Sequence, residues 1–268
     1  MIRPRSRPPG VAFLLALLLL VPAAARADRR FFLYTSSPYL DERGEAEVEG
    51  WITARAGKQD PGDSPVWEPR VEFEYALHDR LSGAAYLNYV RQPGERIHLE
   101  SPSLELRYRL APDGRLPGDP AFYLEGTERG DELELESRLL LARGGEHWMR
   151  AMNLVGEFEF RHDDRELLPS GRVLRNGFAG EITGGVAYVV RPTIAIGLEA
   201  RYRSEHPNFG RESAALLAAG PSVNVRSGRA QLAIGVLPQL WGRPASSDSR
   251  NLEDFERVQA RIVLGFEI

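Results

Sequence analysis

The stretch Ile194–Arg203, IAIGLEARYR, places Ile194, Ile196, Leu198, Ala200 and Tyr202 on one face of an extended chain and Glu199, Arg201 and Arg203 on the other. Side chains alternate across a strand, whereas a helix would scatter such a series around its axis. The same period recurs outward in both directions. Val258, Ala260, Ile262, Leu264, Phe266 and Ile268 oppose Arg257, Gln259, Arg261 and Glu267, and Leu154, Phe158 and Phe160 oppose Glu157 and Glu159. Leu133, Leu135, Leu139 and Leu141 oppose Glu134, Glu136 and Arg138. Leu104, Leu106, Tyr108 and Leu110 oppose Glu105, Arg107 and Arg109. Val71, Phe73, Tyr75 and Leu77 oppose Glu72 and Glu74.

About twelve such runs lie near 45–55, 68–77, 81–91, 99–110, 120–127, 131–142, 147–160, 178–190, 193–203, 214–226, 229–241 and 255–267. Most have the roughly ten residues that a tilted strand needs to cross a bilayer. The links alternate in length. His78-Asp79-Arg80, Gly144-Gly145, Arg191-Pro192 and Ser227-Gly228 are short, while Arg161 to Gly177 and Gly242 to Asp254 are long. Ala111 to Asp119 and Arg129-Gly130 break that rule. Short turns on one rim and longer loops on the other predict an all-β, antiparallel transmembrane β-barrel of about 12 strands with periplasmic termini. A secreted β-sandwich is the alternative fold.

The charged face is dense in Glu and Arg, and the apolar face carries small residues such as Gly50, Ala85, Gly156 and Ala200, which lipid tails can surround. The apolar face is therefore assigned to lipid. The lumen-lining candidates that would set selectivity are Glu72, Glu74, Glu105, Arg107, Arg109, Glu134, Glu136, Arg138, Glu157, Glu159, Glu181, Glu199, Arg201, Arg203, Arg257 and Arg261. Glu181 and Arg203 are expected to pair across the Arg191-Pro192 turn. Leu106, Ile196 and Ile262 should reject arginine, and lumenal Gln259 should accept it. Trp51, Trp67, Tyr75, Tyr89, Tyr108, Trp148, Phe160, Phe178, Tyr188, Tyr202, Trp241 and Phe255 stand near strand ends, as headgroup-level aromatic girdles require.

The one continuous apolar run, Val11 to Val21, follows Arg3, Arg5 and Arg7 and precedes Ala25-Arg26-Ala27. That layout predicts a signal peptide over 1–27, with a short membrane anchor as the alternative. Residues 28–44 would then be a periplasmic lead-in or a short plug, and 45–268 the outer-membrane barrel. Over 268 residues the chain is 43% hydrophobic and 27% charged, with mean hydropathy −0.33 and net charge −4. Losing four arginines and no acid with the signal peptide takes that charge to −8. An acidic exported chain is a poor nucleic-acid binder. There is no cysteine, no His-x-x-x-His pair and no Gly-rich phosphate loop, so no cofactor and no metal are expected.

Trp67-Glu68-Pro69 leading into Glu72 to Tyr75, His78-Asp79-Arg80-Leu81, Gly197 to Arg201 and Gly220-Pro221-Ser222-Val223 resemble a Gram-negative outer-membrane β-barrel family of unknown function. That group is similar to MetA-like barrels associated with phenol degradation. The resemblance implies a barrel of about this size and no defined activity. The C-terminal run also resembles the signal read by the barrel-assembly machinery, with its aromatic, Phe266, two positions before the end. The partners expected are the lipid bilayer, that machinery during biogenesis, and a small solute.

About twelve strands enclose a narrow lumen. Water-filled, its carboxylates would favour small polar or cationic solutes; charge-paired, it would be a closed structural barrel. An outer-membrane hydrolase is the third reading. However, none of His78, His98, His147, His162 or His206 is followed two residues later by serine, and His162 with Asp164 lies in a polar loop. The expectation is no enzyme and no catalytic residue.

Overall fold

In a computed structural model, residues 30–58, 64–130, 132–161, 176–245 and 248–268 are described. The signal-peptide region lies outside them, as do His162 and Asp164. Twelve antiparallel strands close into one barrel in which each strand pairs with its sequence neighbours and β12 returns to β1. They are β1 (Ala46–Ala56), β2 (Val66–His78), β3 (Leu81–Val90), β4 (His98–Arg109), β5 (Ala121–Glu128) and β6 (Glu132–Gly144). The second half comprises β7 (Trp148–Arg161), β8 (Asn176–Arg191), β9 (Ile194–Pro207), β10 (Ala214–Ser227), β11 (Ala230–Arg243) and β12 (Val258–Glu267). Closure runs from Glu47 opposite Glu267 to Ala56 opposite Val258. It leaves no strand edge to be satisfied, which a bilayer demands.

Chain direction gives the barrel two rims. One holds both ends of the strand series, where the Ile268 amide donates to the Ala46 carbonyl, and the turns after even-numbered strands. At Gly228 that rim turns through a positive φ of 58°, which glycine adopts without strain. The 110–120 link belongs to this rim despite its length. The opposite rim holds the links after odd-numbered strands, the shortest being the β5–β6 turn at Gly130.

The alternation sorts as its period requires. Outward residues are open: Leu104 is 71% exposed and Leu198 68%, in strands whose Glu105 and Glu199 are 3% and 1% exposed. A water-soluble sandwich would show the reverse. Two girdle assignments are corrected. Trp51 points inward, its indole nitrogen donating to Glu49 at 2.7 Å, because it shares the face of Glu47 and Glu49. Phe255 is buried with Leu216, Leu237 and Val263, because the β11–β12 link folds over the mouth of the barrel.

Candidate functional site

The lumen is the place where polar chemistry collects. Successive strands bring Glu105, Glu125, Glu136 and Glu157 directly opposite one another, a row of like charges that would repel if left alone. Each acquires a guanidinium from the wall. Glu105 takes Arg107 (2.9 Å), Glu125 takes Arg70 (3.3 Å), Glu136 takes Arg138, and Glu157 takes both terminal nitrogens of Arg203 at 2.8 and 2.9 Å. Arg107 also reaches Glu74 at 3.7 Å, and Arg129 holds Glu134 at 2.7 Å. Glu181 does stand opposite Arg203, but its nearer partner is Arg201 at 2.7 Å, with Arg203 at 3.7 Å. Tilt sets this diagonal choice, favouring a guanidinium one rung away over the one directly across.

Tyrosines complete the network. The Tyr86 hydroxyl donates to Glu105 and lies 3.0 Å from Glu72, and Tyr123 donates to Glu125. Both rings point inward among the acids, which an eye for aromatics at strand ends overlooks. Arg70 stacks on Tyr86 and Arg138 on Tyr123, each at 4.5 Å.

Residues from Arg30 to Asp41 run inside this lumen, entering and leaving at the rim of the short turns. Glu199 is the deepest latch, its carboxylate accepting the backbone N–H groups of Leu33 (3.0 Å), Tyr34 (2.9 Å) and Thr35 (2.5 Å). Arg261 donates to the Leu33 carbonyl at 2.7 Å and lies over the Tyr34 ring at 4.0 Å. The Asn153 side chain pairs twice with Ser36, and Arg138 donates to the Ser36 hydroxyl at 3.3 Å. Glycines make room. A methyl group built on Gly185 would collide with the Phe32 ring, and one on Gly235 with Leu33. At the exit, Tyr39 donates to Asp119 at 3.0 Å; burial, then that hydrogen bond, pushes its hydroxyl up to about 12.

A vestibule of about 740 Å³ opens at the same rim, among Tyr39, Asp41, Arg43, Asp79, Arg109 and Trp148. A second, much smaller space of about 30 Å³ lies beside the segment among Arg30, Phe32, Glu49 and Glu74. Of the sequence candidates, most face this interior. Arg109 and Arg257 stand at the rims instead: Arg109 pairs with Asp113 of the 110–120 link, and Arg257 precedes β12. Glu159 lies on β7 two residues from Glu157, directly opposite Glu134. Gln259 is 2% exposed and accepts from Arg201 at 3.0 Å. A second guanidinium there would lose that bond and face Arg201.

One serine–histidine pair does occur. Ser204 Oγ lies 3.2 Å from His206 Nε2 on the outward face, and His206 Nδ1 lies 3.3 Å from the Gly210 carbonyl. Ser204 is 8% exposed and, among the described residues, the other ring nitrogen meets the Gly210 carbonyl in place of a carboxylate, so the pair lacks both access and a third member there. Among the described residues, no group of three or more His, Asp or Glu side chains is arranged to hold a metal.

Residues 174–268 match a family of unknown function (DUF6662). No curated protein sequence matches the chain. Among solved structures, the NanC porin is similar with a TM-score of 0.55 at 11% identity, over 83% of this chain and 100% of that one. The COG4313 outer membrane channel from Pseudomonas putida F1 is similar with a TM-score of 0.55 at 14% identity, over 88% and 100%. The KdgM porin, solved in complex with disordered oligogalacturonate, is similar with a TM-score of 0.52 at 7% identity, over 82% and 98%. At these identities the likeness is one of fold: a closed antiparallel barrel similar to those of outer-membrane porins.

Proposed function

We propose that this protein is an outer-membrane channel, without enzymatic activity, for small polar or cationic solutes, with its termini in the periplasm and its lumen held shut at rest by residues 30–41. The observation that carries the reading is the nature of the obstruction. The barrel wall is lined with polar and charged groups, and the body that fills its lower half is a non-strand segment tied in by side-chain hydrogen bonds. Such a segment can leave without breaking a single strand pair. The wall's carboxylates, exposed by its departure, then favour cations.

Current across a planar bilayer tests this. Wild-type protein should conduct rarely. Glu199→Ala combined with Phe32→Ala, which removes the latch and the ring in its glycine notch, should raise the open fraction severalfold. Reversal potentials in a salt gradient should show a cation preference that weakens as salt screens the lumen. A second reading, a permanently closed structural barrel, is favoured by Arg203–Glu157 and Arg70–Glu125, which tie non-neighbouring strands of the wall, β9 to β7 and β2 to β5, independently of the segment. It is the outcome if the released variant folds and carries no current.

A further inference from the structure

β1 and β2 depart from the pairing rule of the other strands. Glu49 stands directly opposite Glu72, and Glu47 opposite Glu74, two like-charge pairs in adjacent rungs. Glu47, Glu49 and Glu72 are 6%, 3% and 1% exposed. Among the described residues, no wall guanidinium forms a salt bridge with any of these three. The cation comes from the inserted segment: Arg30 grips Glu49 with two parallel hydrogen bonds, Nε to Oε1 at 3.0 Å and Nη2 to Oε2 at 2.7 Å. Its guanidinium lies 4.6 Å from the centre of the Trp51 ring, and its backbone N–H donates to Gln231 at 2.9 Å. Trp51 in turn donates to Glu49, which fixes the carboxylate for a planar, bidentate guest. Glu72 keeps one oxygen, Oε2, buried and without a hydrogen-bond partner.

We propose that the slot formed by Glu49, Trp51 and Glu72, occupied here by Arg30, is a recognition site for a solute bearing a guanidinium or amidinium group, which takes Arg30's place when the segment withdraws. The solute assignment rests on the channel reading above. The reason lies in the cost of vacancy. Taking one partner out of a buried ion pair leaves an uncompensated charge, and here it would strand Glu49, whose salt-bridge partner among the described residues is Arg30. The segment therefore leaves readily only when another cation enters. A planar fork satisfies Glu49 and stacks on Trp51, while a compact ammonium does one of these poorly. The inserted segment is thus a tethered competitor of the solute.

Chemical rescue of full-length Arg30→Ala, refolded in detergent, tests the site without any current being measured. Methylguanidinium should raise its thermal midpoint, and methylammonium should need about tenfold higher concentration for the same shift, the cost of one charge-assisted hydrogen bond. Adding Glu49→Gln should abolish the preference. If Arg30→Ala does not fold alone, folding yield replaces the midpoint and the same tenfold difference is expected; Arg30→Lys should fold without either cation. Equal effects of the two cations, no rescue by either, or a preference that survives Glu49→Gln each overturn the site. A barrel that stays non-conducting when its segment is released, yet is rescued selectively, overturns the channel and leaves the cation site.

Discussion

The lumen has two unlike walls. From β1 to β9 the inward face is a mesh of glutamate, arginine and tyrosine. From β10 to β12 charge is sparser, limited to the Arg226–Glu267 pair and Arg261, and apolar contact prevails: Ala214, Leu216, Ala218, Ala233, Leu237 and Val263 form one buried cluster with Leu33 of the segment and Phe255 of the closing link. The outer faces do not differ in this way, since Leu106, Ile196 and Ile262 are all half exposed. The outward face is apolar all round, whereas the interior is divided by what it must hold. The charged wall orients and neutralises, and the apolar wall gives the segment a surface to bury against. Both are needed to hold a polar backbone segment in place without making it a strand.

The comparison can be broken at four places. The largest effect is expected on the charged wall. Arg203→Ala leaves Glu157 buried without its bidentate partner and should cost about 3–5 kcal/mol of folding stability in denaturant titrations into vesicles. Gln259→Ala, on the quieter wall, should cost much less. Equal losses would erase the distinction. Next, Leu33→Ala should weaken docking of the segment by about 2–5 kcal/mol through the cavity it leaves against the apolar wall. Hydrogen exchange at the Leu33–Thr35 amides reads this directly, and unchanged protection would mean that Glu199 alone holds the segment.

The outer surface should ignore the division. Arginine at Leu106, Ile196 or Ile262 should each cost about 2–4 kcal/mol near the bilayer midplane, whichever wall lies behind it. A loss confined to one wall would show that the lipid face is also split. The smallest effect concerns the segment's exit. The Tyr39 hydroxyl, raised in the fold to about 12, stays protonated there at pH values where an unfolded tyrosine ionises, near about 10. The folded state therefore binds more protons across that window, and the contribution of Tyr39 falls as pH rises through it. The midpoint difference between wild type and Tyr39→Phe should shrink between pH ~10 and ~12. A difference that is constant with pH would separate the hydroxyl from the stability of the exit.

Much of the barrel is legible residue by residue. Ile196 and Glu199 announce opposite faces, and Ser227-Gly228 announces a turn, because these preferences act within one strand or one turn. The candidate site is only partly legible. Glu72, Glu105 and Glu157 are identifiable as inward, yet the partner of each depends on the diagonal offset between strands. Trp51 reads as a girdle residue by its nearness to a strand end, and only its parity with Glu47 and Glu49 argues otherwise. Gly185 and Gly235 carry no signal, since a glycine in a strand does not declare what approaches it. The segment around Pro38 lacks a period altogether, which left its location open between two sides of the barrel wall.

The sequence by itself determined a closed antiparallel barrel of about twelve strands, the face that turns outward and the alternation of the rims. Those follow from side-chain period and turn chemistry, both of which are local. Only the tertiary structure decided that Arg30 enters the lumen to serve Glu49, that Glu199 gathers three successive amides, and that Arg203 serves Glu157 more closely than Glu181. Each of those choices joins the inserted segment to the wall around it, or two strands that are not neighbours. They are fixed by closure and tilt, which no single strand encodes.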